Sequence, residues 1–211
     1  NRAPDSTDQN NGYDQTRADF DFDRGSNAAA TRVNAAGLIE KYRENLLTES
    51  NNFSDSDWVN SGITLTSGQS GPFGSNNGWR YLMSGGIGGS FLYQNNRTIN
   101  GSPMVLSFWV KSNTSSNQTF RSTANSGGQS SPDFTATTSW QRFSWFFVSN
   151  AGGSNILLAY NPTTNIDLVI YGAQFEQGLV ATDYLNSTDV TAKSGVLVDQ
   201  PRINYDANGN N

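Results

Sequence analysis

Neither cysteine nor histidine occurs among the 211 residues. Without cysteine there is no disulfide framework and no thiolate metal site. Without histidine there is no imidazole zinc site, no Ser-His-Asp triad and no histidine general base. Charge is also scarce: 15% of residues are charged and the net charge is −5, so there is no basic excess and nucleic acid is not an expected partner. No apolar run approaches the ~20 residues of a membrane-crossing helix, so membrane insertion is not expected either. The chain opens on Asn1 rather than Met, which reads as an excised or processed piece.

Asn, Ser, Thr, Gln and 21 glycines supply the polarity, while the hydrophobic share is only 35%. Disorder requires low hydrophobicity combined with high net charge. Here the charge is small and aromatics reach 12%, which favours β-structure with many turns. Ile166–Glu176, IDLVIYGAQFE, is the longest β-branched and aromatic run near the C-terminal end and reads as a buried strand. In Met104–Ser112 the alternation puts Leu106, Phe108 and Val110 on one face and Ser107, Trp109 and Lys111 on the other. In Trp140–Ser149, Phe143, Trp145 and Phe147 share a face. Shorter strands are expected at Asn45–Thr48, Gly62–Thr66, Trp79–Met83, Ser90–Gln94, Thr119–Ser122 and Ile156–Tyr160, separated by Gly/Ser/Asn loops. This spacing predicts an all-β fold, an antiparallel β-sandwich or jelly roll with extended N- and C-terminal arms. Residues 1–44 read as an arm with a β-hairpin turning at Asn34–Gly37, the alternative being a short helix through Asn34–Arg43. Residues 45–185 read as the sandwich, and residues 186–211 as a connector towards a further module.

Sugars are held by aromatic rings against their CH faces and by amide, carboxylate and guanidinium groups against their hydroxyls. Trp79 and Tyr81, with Asn76, Asn77 and Arg80 beside them after a Gly-rich loop, form the best local cluster of those types. Trp109 is a further candidate, because it shares an open strand face with Ser107 and Lys111. Paired carboxylates could act without histidine. Asp55 and Asp57 sit in a turn, however, and Asp167 and Glu176 have opposite parity, so they point to opposite faces unless a bulge intervenes. No catalytic residue is assigned and no enzymatic activity is expected.

Four segments occur in a telling order: NLLTESNNFSDSDW at Asn45–Trp58, LSFWVKS at Leu106–Ser112, TSWQRFSWFF at Thr138–Phe147 and YGAQFEQGLVATDY at Tyr171–Tyr184. Together they resemble the concanavalin-like or carbohydrate-binding-module-like jelly rolls of bacteriophage virion proteins, such as tail fibres, tail appendages and head decorations. ATRVNAAGLIEKY at Ala30–Tyr42 and GVLVDQPRINYDANGN at Gly195–Asn210 resemble the flanks of such modules. The resemblance implies a virion location, a structural and non-enzymatic role, and other virion proteins and further copies of the chain as partners; it transfers no proven ligand, and a host-surface glycan is the candidate that the aromatic and amide cluster offers. The resemblance also implies a calcium ion, for which Glu176 and Asp167 are the expected ligands. The alternative is the carbohydrate-binding module of a secreted polysaccharide-degrading enzyme.

Overall fold

The structure, a computed structural model, describes residues 31–33, 39–84, 90–95, 97–124, 128–150, 152, 155–161 and 163–194, with 31–33 and 39–41 as backbone only. The arm expected over Asn1–Thr16 and the connector residues from Gly195 onward lie outside the described residues. The chain divides into two units. In one, β1 (Thr31–Val33) pairs antiparallel with β2 (Ile39–Lys41), the hairpin pairing rather than the alternative helix.

The other unit, Arg43–Ser194, contains every other strand among the described residues. These are β3 (Arg43–Asn45), β4 (Val59–Ser61), β5 (Ile63–Gln69), β6 (Gly78–Met83), β7 (Phe91–Gln94), β8 (Pro103–Ser112), β9 (Gln118–Ala124), β10 (Gln129–Ser130), β11 (Phe134–Ala136), β12 (Gln141–Val148), β13 (Ile156–Tyr160), β14 (Ile166–Gln177) and β15 (Ala192–Ser194). No helix occurs among the described residues. One antiparallel sheet runs β10-β9-β13-β7-β4, with β11 also on β9; the facing sheet runs β12-β8-β14-β6-β5. This is the expected all-β jelly roll.

Alternation decides what enters the core. β8 buries Met104, Leu106, Phe108 and Val110 and turns Trp109 and Lys111 outward. β12 sends Phe143, Trp145 and Phe147 inward; Trp145 stacks on Phe147 at 4.3 Å, and Phe147 on Phe175 at 6.1 Å. Each such side chain withdrawn from water contributes about 1.5–3 kcal/mol.

β14 breaks its own alternation. Ile166, Leu168 and Ile170 face the core, but after Gly172 the inward residues are Ala173 and Phe175. Against β8 the register passes from Tyr171↔Trp109 to Gln174↔Ser107, an extra residue on β14, with Gly172 at φ +60°. This bulge places Asp167 and Glu176 on the same, outward face despite their opposite parity. β6 pairs β14 only through Ile166–Ile170. Beyond that point the segment after β3 replaces it. Leu46 N–H donates to Phe175 O at 2.7 Å, and Ala173 N–H donates to Ser50 O at 2.9 Å. The Asn45 amide donates to Ala173 O and accepts from Phe175 N–H, and the Asn51 Oδ1 accepts from Gly172 N–H. The bulged backbone is thereby satisfied on the side that β6 has left.

β13 peels away from β7 after two register pairs, Ile156↔Gln94 and Leu157↔Tyr93, and its register with β9 shifts between Leu157 and Tyr160. The displaced carbonyls are taken by side chains: the Ser122 hydroxyl donates to Leu158 O and the Tyr81 hydroxyl to Ala159 O.

Asn186–Ser194, expected to begin the connector, belongs to the sandwich unit instead. β15 pairs with β3, Ala192↔Asn45, and buried Ser187 donates to Leu47 O at 2.6 Å. The cause is the hydroxyl of Ser187, a polar residue that finds its partner inside; composition alone reads such a residue as solvent-facing.

Candidate functional site

The outer face of the five-stranded sheet carries a row of side chains set by strand register. Arg142 of β12 faces Trp109 of β8, and Trp109 faces Tyr171 of β14. The Arg142 guanidinium lies 4.5 Å from the centre of the Trp109 ring, and its Nη2 donates to Ser107 Oγ at 3.0 Å. A guanidinium on an indole face is a favourable pairing, stronger as it is desolvated.

Two loops complete the row. Gly71–Ser75 closes on itself through Gly71 N–H to Ser75 O at 2.7 Å, with Gly74 at φ +85°, and presents Phe73 at its tip. Phe73 is 66% exposed, and its ring meets Trp109 at 5.5 Å and Tyr171 at 5.8 Å, edge-on to both. The Asn77 amide fills the space beside Gly71, where a Cβ would come within 2.0 Å of Asn77 Oδ1, so a side chain there would displace that amide. From the other side the segment after β14 returns across the sheet. Glu176 accepts from the Thr182 backbone N–H at 2.9 Å, from its hydroxyl at 2.7 Å and from Gln174 Nε2 at 2.7 Å. Gln174 Oε1 accepts from Leu185 N–H at 2.7 Å. These buried polar groups fix Tyr184, whose ring lies 5.7 Å from both Trp109 and Tyr171. The rings of Phe73, Trp109, Tyr171 and Tyr184 meet at 61–81°, so they form a faceted aromatic wall, not a flat platform.

Burial tunes the groups around this wall. It raises the Tyr184 hydroxyl above the usual phenol range, with Ser50 opposing. It also raises Tyr171, opposed by the Asn77 amide. Desolvation lowers Arg142, opposed by the charges of Glu176 and Asp183. The Arg142 Nε is buried with no hydrogen-bond partner, as is Asn77 Oδ1. The face therefore combines exposed and half-buried aromatic surface with a cation and under-used polar atoms.

The residues expected from the sequence divide between the two faces. Trp109 stands at the centre of the wall, and Asn77 stands beside it. Asn76 is exposed on the same loop. Arg80 is outward but engaged: its Nε and Nη2 donate to the two Asp167 oxygens at 2.9 and 2.8 Å. Tyr81 is fully buried and its hydroxyl serves the β13 bulge, so it cannot meet a ligand. Trp79 shares that inward face, packs edge-on to Phe53 and donates to Asn51 O at 2.9 Å. The expected calcium ligands are not brought together. Asp167 pairs with Arg80 near one end of β14, and Glu176 accepts from Gln174 and Thr182 near the other. Among the described residues no group of three or more acidic side chains is placed to hold a metal ion. Phe73, Arg142, Tyr171 and Tyr184 were not among the expected site residues. Arg142 and Tyr171 were within reach of alternation, being the outward partners of Phe143 and Ile170. Phe73 carried only the signal of an aromatic inside a Gly-Pro-Phe-Gly turn.

No protein-family model matches the sequence, and no curated protein matches it. Solved structures do. The xylan-binding CBM22-1 domain of Xyn10C from Paenibacillus barcinonensis is similar with a TM-score of 0.51 at 13% identity, over 65% of this chain and 96% of that one. The CBM22-1–CBM22-2 tandem of the same protein gives 0.50 at 12% identity, over 65% and 47%. A tailspike protein of bacteriophage CBA120 gives 0.43 at 16% identity, over 62% and 21%, a looser likeness that does not bear on origin. At these identities the likeness is one of fold: the sandwich unit has the jelly-roll fold of carbohydrate-binding modules. The virion part of the resemblance rests on the sequence motifs alone.

Proposed function

We propose that this protein is a non-catalytic glycan-binding module and that the outer face of its five-stranded sheet is the binding face. The observation that carries the reading is the wall of Phe73, Trp109, Tyr171 and Tyr184 with Arg142 laid over Trp109. Aromatic rings offer CH-stacking surface, and Arg142 and the exposed Asp183 offer groups for hydroxyls. The angled rings favour a single hydrated chain over a flat crystalline surface. Catalysis by a carboxylate pair finds no support here, since both oxygens of Glu176 already accept hydrogen bonds. The motif order supports placing the module on a virion surface or appendage, where it would adhere to a host glycan beside other virion proteins and further copies of itself.

Glycan-array binding followed by calorimetry tests the module. Trp109→Ala is expected to weaken binding by roughly tenfold or more, the loss of a ring contact and of the surface beneath Arg142. Tyr81→Phe is expected to leave affinity unchanged while lowering stability by about 1–3 kcal/mol through an orphaned carbonyl. Equal affinity of native protein and Trp109→Ala would overturn the assignment of this face. Immunogold labelling of intact particles tests the virion placement, and a catalytic domain in the same reading frame would replace it with a secreted enzyme's module.

A further inference from the structure

The opposite sheet has a cavity that the aromatic wall does not use. Where β13 parts from β7, the cavity is lined by Phe91 of β7, Tyr160 of β13 and Met83 of β6, among others. The cavity is about 220 Å³. This is below the roughly 300–1,000 Å³ of drug-sized sites and suits a single small ring. Ser90, Thr123, Gln129 and Ser130 contribute hydroxyl and amide groups, and no charged side chain lines the cavity among the described residues. Gln129 Nε2 donates to Val148 O at 2.9 Å, but its Oε1 is buried with no hydrogen-bond partner. A buried acceptor left unpaired is costly, and a ligand hydroxyl would satisfy it.

We infer that this cavity is a second binding site, separate from the aromatic wall, for one neutral pyranose ring. The two aromatic side chains would meet the CH faces of the sugar. The hydroxyl and amide groups would meet its hydroxyls, with Gln129 Oε1 accepting one of them. No cation among the described lining residues balances a carboxylate, so an acidic sugar is disfavoured by desolvation.

The test is a titration of the protein with D-glucose, D-galactose and N-acetyl-D-glucosamine, and with D-glucuronate as the charged control, followed by amide NMR. At least one neutral sugar is expected to shift the amides of Phe91, Thr123, Ser130 and Tyr160 saturably, while glucuronate does not. Tyr160→Ala is expected to weaken that binding by roughly tenfold, what one lost ring contact is worth. Thr123→Trp, which fills the gap from the surface, is expected to abolish it. Trp109→Ala is expected to leave it unchanged, so failure of the aromatic wall and failure of this cavity are read separately. The inference is overturned if no neutral sugar shifts these amides, if glucuronate shifts them equally, or if both cavity variants bind like the native protein.

Discussion

The hydroxyls of Tyr184 and Ser50 lie 2.7 Å apart, joining residues separated by 134 positions. Ser50 Oγ also accepts from Ser187 N–H at 2.9 Å, and the Tyr184 hydroxyl donates to Asn186 Oδ1 at 3.0 Å. The contact therefore ties the returning C-terminal segment to the start of the sandwich. Tyr184→Phe keeps the ring of the aromatic wall and removes the tie. It is expected to cost about 1 kcal/mol, a fall of ~2–4 °C in unfolding temperature for a domain of this size. Calorimetry with a glycan titration on the same sample checks both, since affinity is expected to hold within about twofold if the ring is what binds.

Gly172 links the fold to the wall. Its φ of +60° is in the left-handed region, and a Cβ there would lie 3.2 Å from the Tyr184 ring and 3.3 Å from Trp109. Gly172→Ala is expected to destabilise by about 2 kcal/mol, from the backbone penalty and from pushing two wall rings. Unlike Tyr184→Phe it is expected to weaken glycan binding too. Urea denaturation and calorimetry distinguish the two outcomes.

Asp167 gives the pH dependence a sign. The hydrogen bonds from the Arg80 guanidinium hold its carboxyl below the usual carboxylate range; partial burial opposes this, and the Asn113 amide and the Arg80 charge add to it. A carboxyl whose folded value is depressed stabilises at pH above its unfolded value of about 3.9 and loses that contribution as pH falls through the folded value. Because Arg80 is partly exposed, the effect is expected to stay under about 1 kcal/mol. Urea midpoints between pH 6 and pH 2.5 are expected to fall less for Asp167→Asn than for the native protein; parallel curves would remove the ion pair from the account.

Calcium is expected to leave stability unchanged. Asp167 and Glu176 already accept hydrogen bonds from Arg80, Asn113, Gln174 and Thr182, and calcium requires roughly six to eight oxygens at one point. Unfolding temperatures with chelator and with millimolar calcium should agree within ~1 °C, because a site occupied in the folded state alone would raise the midpoint with concentration. A rise would show a site elsewhere in the chain.

The strands were legible because alternation is a local property. β8 and β12 present the faces that their apolar residues announce, and Trp109 is outward for the reason its neighbours Ser107 and Lys111 supply. The wall was less legible because loop turns, side-chain hydrogen bonds and a bulge assemble it, and alternation describes none of these. Tyr171 points outward beside Trp109, but the register shift at Gly172 is seen only once β8 lies alongside. Tyr184 reaches the wall through Glu176 and Gln174, and Phe73 through the close turn at Gly71. Trp79 and Tyr81 were misread for a different reason. A flexible loop before them suggested access, whereas their spacing with Met83 already described an inward face.

The two hydroxyls that serve the β13 bulge have a consequence for kinetics. Because the Tyr81 hydroxyl occupies the Ala159 carbonyl and the Ser122 hydroxyl of β9 occupies the Leu158 carbonyl, the parting of β7 and β13 is built into the hydrogen bonding of the fold. A ligand entering there would separate no strands and wait for no opening. Its arrival rate would therefore follow diffusion and fit alone, and affinity differences among sugars would be written in how slowly each one leaves.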